Sequence, residues 1–344
     1  MAYLLGYGTA VEWLRMNHDV SLLLTRYELP FLSLEASRRR LQRHVQQTEH
    51  LTKPLHLVVS LRDSRRPSAE AVCHLLKTPD GTYPAVRLDR GIFASGPELA
   101  FLQMANVLEE EALRFLGMEL CGRYGIGLDG KVFRRLQTAK PEELLLTAQT
   151  MAGARGHRRA ATVATRVWGG AGSPMEAALA LILCSDPELG GFGLPAPELN
   201  KPLPVTGDTR DDWGDDFITP DLLWEAGKVA IEYDSELHHT ASHRIAVDAS
   251  RRDVLVDLGY RVITVTTEHM RKPKELARIA GIVARQLGIE LVPCNDEEWA
   301  RRVQYQLRMR RLAEHPEALL GFSKEKRTAH QSWHVRGPYP VPFS

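Results

Sequence analysis

Three carboxylates fall on one predicted β-hairpin, where their types and spacing suit metal chemistry. In "PDLLWEAGKVAIEYD" (220–234), Asp221 precedes the first strand, and Glu232 and Asp234 lie on the second. A turn at Ala226-Gly227 pairs Asp221 with Glu232, which places their Cβ atoms about 4.5–5.5 Å apart. Because side chains alternate along a strand, the three acids share one face of the hairpin.

Like charges this close together oppose each other's ionisation. A half-buried sheet tolerates them only if a cation or a proton is held between them. Mg²⁺ (or Mn²⁺) is the simplest compensation, since a hard cation takes oxygen ligands and is usually bound by one or two carboxylates plus substrate phosphates. Such an ion polarises a phosphoryl oxygen and activates water. The pattern therefore predicts metal-assisted phosphodiester hydrolysis; the alternative is an edge hairpin whose acids are scattered over a solvated surface.

The elements around the hairpin predict the sheet that must position these acids. Helical periodicity covers 173–185, a strand candidate covers 199–207, and a helix, a strand and a second helix follow the hairpin over 243–288. The order α-β-β-β-α-β-α predicts a mixed sheet with helices on its faces. The predicted fold class is α/β (α+β).

The chain is predicted to divide into four segments: a smaller α/β domain over 1–138, a helical connector over 139–170, the mixed-sheet domain over 171–295, and a basic helix with an extended tail over 296–344. In the first segment, Thr9 and Glu12 form a capping-box pattern that predicts the start of a helix. Another helix is predicted to begin after Ser95 and to break near Gly117.

Composition excludes several classes of protein. The 344 residues are 44% hydrophobic and 25% charged, which is typical of a globular chain. No apolar run approaches the roughly 20 residues that a membrane span needs, so no membrane partner is expected. The N-terminus lacks the basic region of a secretory signal. The four cysteines are far apart in the sequence, which argues against a zinc ribbon or a disulfide framework and predicts a reducing, cytoplasmic location.

The net charge is only +1, so any affinity for DNA must come from local basic runs. Candidate runs occupy 37–44, 62–67, 269–274 and 301–311. Taken singly, each run is more typical of a solvated helix face than of a DNA-binding patch.

Residues 173–288 resemble the very-short-patch-repair-like branch of the PD-(D/E)XK nuclease superfamily. The resemblance rests on the ordered pieces "SPME", "LPAPELN", "PDLLW", "VAIEYDSELHH", "DASRRDVL" and "GYRVITVT". It implies a restriction-endonuclease-like core, in which a mixed central sheet is flanked by helices. It also implies a metal-dependent DNA endonuclease, in which Asp221 and Glu232 correspond to the acidic pair of the superfamily.

The sequence departs from the superfamily motif at Asp234, which stands where the motif places a lysine. The resemblance implies that Asp234 is a third or water-mediated metal ligand. His239 matches the histidine that serves in the very-short-patch branch, and it would act as general base or phosphate contact. Lys228 lies on the same predicted face of the hairpin as the acids, but it is close to the turn, whereas the acids lie at the other end of the strands.

Two helices supply further candidates through the same resemblance. Glu176 matches a first-helix glutamate that can act as an additional metal ligand, although Ser173 and Glu176 also form a capping box. Asp248 could orient His239 or a metal-bound water, and Arg251 could bind a phosphate. The alternative for Asp248 and Arg251 is an ordinary helical i,i+3 ion pair.

The first half resembles AbiEi-type antitoxins of abortive-infection systems, through "GIFASGPELAFLQMANVL" and "LGMELCGRYG". It leaves open whether this half recognises DNA, a partner protein or a second copy, or has no recognition role.

Two functions of the whole chain are in competition. The first is a Mg²⁺-dependent DNA endonuclease in phage defence or DNA repair. The second is a non-catalytic, nuclease-derived DNA-binding protein or antitoxin-like regulator, which the missing lysine favours and the intact acidic pair opposes.

Overall fold

The computed structural model describes residues 3–16, 27–30, 50–62, 65, 68–76, 82–89, 91–127, 129–205, 208–234 and 242–320. They form a mixed α/β structure with two larger mixed sheets and two short two-stranded ones. None of the helices in these ranges is long and apolar enough to cross a bilayer.

The first half is built on a six-stranded mixed sheet of order β2-β5-β6-β1-β3-β4. Its elements, with the helices and hairpin that follow, are β1 (Tyr3–Leu5), α1 (Tyr7–Met16), β2 (Tyr27–Pro30), β3 (Leu55–Val59), β4 (Ala71–Leu75), β5 (Thr82–Asp89), β6 (Ile92–Ser95), α2 (Pro97–Met104), α3 (Glu110–Leu120), β7 (Tyr124–Ile126), β8 (Val132–Arg134), α4 (Pro141–Thr150) and α5 (His157–Ala164). Strands β7 and β8 pair with each other in a separate antiparallel hairpin.

Two helix boundaries in this half differ from the sequence prediction. Helix α1 begins at Tyr7, whose N–H is bound by the Gln103 side chain at 2.7 Å, so Thr9 lies inside the helix and its hydroxyl accepts from the His56 N–H instead. The predicted break near Gly117 is also wrong, because α3 continues through it. Gly117 is a close-packing point, since a Cβ there would lie 2.6 Å from a methyl group of Val167.

The second half contains a four-stranded mixed sheet of order β14-β13-β12-β9. Its elements are α6 (Pro174–Cys184), β9 (Glu198–Leu199), β10 (Leu203–Pro204), α7 (Asp208–Trp213), β11 (Phe217–Ile218), β12 (Leu222–Trp224), β13 (Val229–Asp234), α8 (Ser242–Asp257), β14 (Arg261–Thr266), α9 (Thr267–Arg271), α10 (Pro273–Gln286) and α11 (Asp296–Glu314). Strand β12 is antiparallel to both β9 and β13, and β13 is parallel to β14. The predicted mixed sheet is present, but the predicted order of elements is incomplete. Two short strands, β9 and β10, take the place of the single strand candidate over 199–207, and helix α7 and strand β11 precede the hairpin.

Helix α10 shows how the spacing of apolar residues orients a helix in the second half of the chain. Its buried residues Leu276, Ile279, Ala280 and Val283 recur at a spacing of three and four, which puts them on one face of the helix. That face joins the apolar cluster containing Val229 and neighbouring residues of the central hairpin. The helix therefore buries this face in the same cluster as one face of the hairpin.

One continuous apolar cluster runs through both halves of the chain. It includes Leu4 of β1, Phe101 of α2, Leu179 of α6 and Met309 of α11. A smaller cluster on the other face of the second sheet contains Leu223, Ala230, Leu255 and Tyr260. Burial of apolar area on this scale is the main stabilising term in folding.

Candidate functional site

The central hairpin has the register that the sequence predicted. Leu222 pairs with Ile231 and Trp224 with Val229, and the turn closes through a 3.1 Å bond from the Lys228 N–H to the Glu225 carbonyl. Continuing the register by one residue places Asp221 opposite Glu232.

Both faces of the hairpin are buried. Leu222 and Ile231 belong to the large core cluster, whereas Leu223 and Ala230 belong to the smaller cluster on the opposite face. All four side chains are fully excluded from solvent. The acids at the end of the hairpin are therefore next in sequence to residues that solvent does not reach. Clustered charges are costly in such an environment.

Asp221 is held in place by the backbone of the neighbouring strand. Its Oδ2 accepts a 2.6 Å bond from the N–H of Tyr233. Burial raises the pKa of Asp221 well above its ordinary value, and the nearby charges of Glu176 and Glu232 raise it further. The three carboxyl groups thus form one electrostatic cluster.

Glu176 lies in the first turn of α6, directly after a capping residue. The hydroxyl of Ser173 accepts from the Glu176 N–H at 3.2 Å, as the capping pattern predicted. The Glu176 carboxylate accepts from the Gly172 N–H at 2.7 Å and from the Asn200 side-chain amide at 2.6 Å. Burial raises the pKa of Glu176, while these bonds and the charge of Arg134 oppose the increase.

Glu232 forms an ion pair with Arg251 of α8. The Arg251 Nη2 lies 3.2 and 3.3 Å from the two carboxylate oxygens, and it also donates to the Thr219 carbonyl at 2.9 Å. The Arg251 charge lowers the pKa of Asp221, in opposition to the two acids. Arg251 is therefore an internal counter-ion of the cluster.

The remaining residues predicted for the site are Asp234, Asp248, His239 and Lys228. Asp234 is the last residue of β13 and pairs in register with Thr266. Asp248 lies within α8, but its side chain and His239 lie outside the described residues. Lys228 does not extend toward the acids; its Nζ lies 4.4 Å from the centre of the Tyr260 ring.

Of the three hairpin acids, Asp221 opens onto a cleft of about 820 Å³. Asp221 and Glu176 line it, together with Tyr233 from β13, Phe133 and Arg134 from β8, and Arg271 from α9. The C-terminal end of α11 closes one side. The cleft thus joins elements from both halves of the chain around Glu176 and Asp221, and Glu314 of α11 adds a third carboxylate to its lining.

Sequence reasoning missed Asn200, Arg134 and Arg271 as members of this site. Asn200 ends the piece "LPAPELN", but nothing local shows that it bonds to a side chain 24 positions earlier. Arg134 stands in a different predicted domain from the acids. Arg271 lies in the basic run 269–274, and that run was the only feature of the sequence that pointed to this residue.

No group of three or more histidine, cysteine, aspartate or glutamate side chains within the described ranges is arranged as a ready-made metal cage. A Mg²⁺ ion needs fewer protein ligands, because it keeps several waters and binds through one or two carboxylates plus substrate phosphates. Asp221 and Glu176 line one cleft. Burial, and then the charges of Glu176 and Glu232, raise the pKa of Asp221, and a cation would neutralise those charges. The donor set therefore fits a hydrated divalent cation.

The basic run on α11 is largely engaged inside the protein. Arg302 is buried over the ring of Phe192, with 4.5 Å between the guanidinium carbon and the ring centre. Arg308 forms ion pairs with Glu109 and Glu111. This run is therefore mainly a packing element rather than an open cationic face.

Comparisons with known proteins give no family. No family model matches the chain, and no solved structure matches it significantly. Two uncharacterized proteins of Mycobacterium tuberculosis, from strains CDC 1551/Oshkosh and ATCC 25618/H37Rv, are each 30% identical to it over 119 residues. The aligned part covers 35% of this chain and 38% of each relative, so the match spans less than two fifths of those proteins.

Proposed function

We propose that this chain is a metal-dependent DNA endonuclease that hydrolyses phosphodiester bonds at the carboxylate cluster. The observation that carries the proposal is the environment of Asp221. Its pKa is raised by burial and by two neighbouring acids, and it faces a cleft. Clustered carboxylates with perturbed pKa values in a cleft are typical of catalytic sites.

The arrangement of the second half supports a restriction-endonuclease-like core of the very-short-patch-repair type. The helix α6 precedes three antiparallel strands, and α8 then connects β13 to the parallel strand β14. The acidic positions fall just before β12 and within β13, where the resemblance expects them.

In this proposal Asp221 and Glu232 hold Mg²⁺ (or Mn²⁺), with Glu176 and Asp234 as direct or water-mediated ligands. When bound, the ion supplies Lewis-acid polarisation of the phosphoryl group and an activated water. The Tyr233 N–H fixes the orientation of Asp221, and the Asn200 amide fixes that of Glu176. Arg251 is paired with Glu232, and it would contact a phosphate oxygen if a cation took its place beside that carboxylate.

The test is Mg²⁺-dependent cleavage by wild type and by Glu232→Gln, offered supercoiled plasmid, linear duplex, mismatched duplex and single strands. The amide retains the shape of the side chain but loses the charge that holds the cation. We expect cleavage to disappear while DNA binding is unchanged or stronger, because one source of repulsion toward phosphate is gone. Glu225→Gln, an exposed glutamate in the turn of the same hairpin, should cut like wild type. Equal cutting by Glu232→Gln and wild type would assign the activity to a contaminant.

The alternative is a non-catalytic DNA-binding or antitoxin-like regulator. Asp234 in place of the motif lysine favours it, because that lysine normally helps to prepare the attacking water. Binding of DNA without cleavage of any of these substrates, in Mg²⁺ and in Mn²⁺, would support the regulator and exclude the nuclease.

A further inference from the structure

We propose that Arg123 of the first half is a positioning residue for the carboxylate cluster. It braces the two segments whose N–H groups donate to Glu176, and it thereby ties the affinity of the cluster for a divalent cation to the first half of the chain. That a cation binds at the cluster rests on the proposed function, whereas the bracing contacts do not.

One carboxylate oxygen of Glu176 receives hydrogen bonds from two segments outside its helix. The Gly172 N–H lies 2.7 Å from Oε2, and the side-chain amide of Asn200 lies 2.6 Å from the same atom. Bonds of this kind orient a metal-binding side chain, and their loss lowers metal affinity. The position of the Glu176 carboxylate therefore depends on where these two donors are held.

Asn200 is connected to both acids that line the cleft. It is buried, it follows β9, and its φ of 49° lies in the left-handed region, which asparagine adopts more readily than most residues. Its N–H donates to the Asp221 carbonyl at 3.0 Å, while its side chain binds Glu176. A shift of Asn200 would therefore move a donor to one acid and the backbone of the other.

Arg123, which lies between α3 and β7, contacts both donor segments. Its Nη1 donates to the Asn200 carbonyl at 3.0 Å. Its N–H donates at 2.7 Å to the carbonyl of Ala171, the residue before Gly172. Arg123 is thus bonded to the residue that carries one donor to Glu176 and to the neighbour of the residue that carries the other.

The loop before α6 is fixed between the first half and the end of β9. The Gly170 N–H binds the Cys121 carbonyl at 2.8 Å. Gly170 has a φ of 97°, and a Cβ there would lie 2.6 Å from the carbonyl oxygen of Leu199, the residue before Asn200. The first half, the loop and the end of β9 are therefore in mutual contact beside Glu176.

The experiment is calorimetric titration of the full chain with Mn²⁺, accompanied by thermal unfolding in metal-free buffer. Arg123 is exposed, so its donor can be removed without opening a cavity in the core. Arg123→Met keeps a long aliphatic side chain but loses the donor to Asn200, and we expect weaker binding of Mn²⁺. Arg123→Lys keeps a donor and should retain most of the affinity.

Asn200→Gly tests the next step of the same chain of contacts. Glycine adopts the left-handed conformation without strain, so the backbone bonds to Asp221 and Arg123 stay and only the amide that binds Glu176 is lost. We expect Mn²⁺ to bind about 10-fold more weakly or worse, a larger loss than in Arg123→Met.

Two matched controls separate positioning from general damage. Arg159→Met removes an exposed arginine that also donates to backbone carbonyls, but far from the acids in the sequence. Asn106→Gly removes an amide that donates to the carbonyls of two other residues. Both should bind Mn²⁺ like wild type, even if their unfolding temperatures fall as far as those of the test variants.

The outcomes distinguish this role from the nuclease. Equal Mn²⁺ affinities of wild type, Arg123→Met and Asn200→Gly would overturn the positioning role and leave the nuclease untouched. A loss in Arg159→Met as large as that in Arg123→Met, or a wild type that binds no Mn²⁺, would also overturn it. Affinities that fall as expected in a protein that cuts no DNA would refute the nuclease and support the positioning role.

Discussion

Asp221 is an acid whose surroundings favour its neutral form in the folded protein. Burial comes first among the causes that raise its pKa, followed by Glu176 and Glu232. The unfolded chain releases this proton near the ordinary value of 3.8, whereas the folded chain keeps it to higher pH. The folded state therefore loses stability as pH rises from about 4 through the raised pKa, and the loss persists above it.

Replacing Asp221 by Asn should remove this loss. In metal-free buffer, we expect Asp221→Asn and wild type to differ little near pH 4 and to diverge as pH rises, with the variant the more stable of the two at pH 7. The asparagine oxygen can still accept from the Tyr233 N–H. Urea unfolding at several pH values measures the difference, and Asp253→Asn, an exposed acid of α8, is the control. A variant less stable than wild type at pH 7 would contradict the assigned environment.

At the scale of the element, the hairpin was the most predictable part of the site. Strand alternation and the Ala226-Gly227 turn sufficed to give the observed pairing of Trp224 with Val229. The sequence could not show that Asn200 bonds to Glu176, because that contact joins a short strand to a helix. Nor could it show that Glu232 pairs with Arg251, since a local i,i+3 partner was equally available.

The cap of α6 gives a prediction at this scale. Ser173→Ala removes the acceptor for the Glu176 N–H at the start of the helix, and it should destabilise the protein by about 1 kcal/mol. Ser173→Thr keeps a hydroxyl at the cap and should restore most of that loss. Chemical denaturation measures both variants. Equal stability of the alanine and threonine variants would show that the hydroxyl does not cap the helix.

At the scale of the whole molecule, sequence patterns predicted a mixed α/β fold but not how the halves join. The periodicity of "RRVQYQLRMRR" predicted a basic helix, yet Tyr305 and Met309 are buried in the apolar cluster shared with α6. The cleft depends on the same long-range packing, because Phe133 and Asp221 are far apart in sequence. Such contacts are set by tertiary burial, which local propensity does not encode. The four predicted segment boundaries stay a prediction.

Met309→Ala tests this packing. The side chain is fully buried on α11, so its truncation should cost about 2–5 kcal/mol. Leu307→Ala on the same helix, where the side chain is 40% exposed, should cost much less. Thermal unfolding followed by two probes measures both variants. A Met309→Ala protein as stable as the Leu307→Ala protein would show that α11 is not part of the core.

If the carboxylate cluster holds a divalent cation, calorimetric titration with Mn²⁺ should detect the binding. We expect a saturable site in wild type that tightens as pH rises, because the acids must lose their protons to bind metal. Asp221→Asn should abolish this site, and Asp253→Asn should retain it. Indistinguishable titrations of wild type and Asp221→Asn would contradict the account and place any bound ion elsewhere.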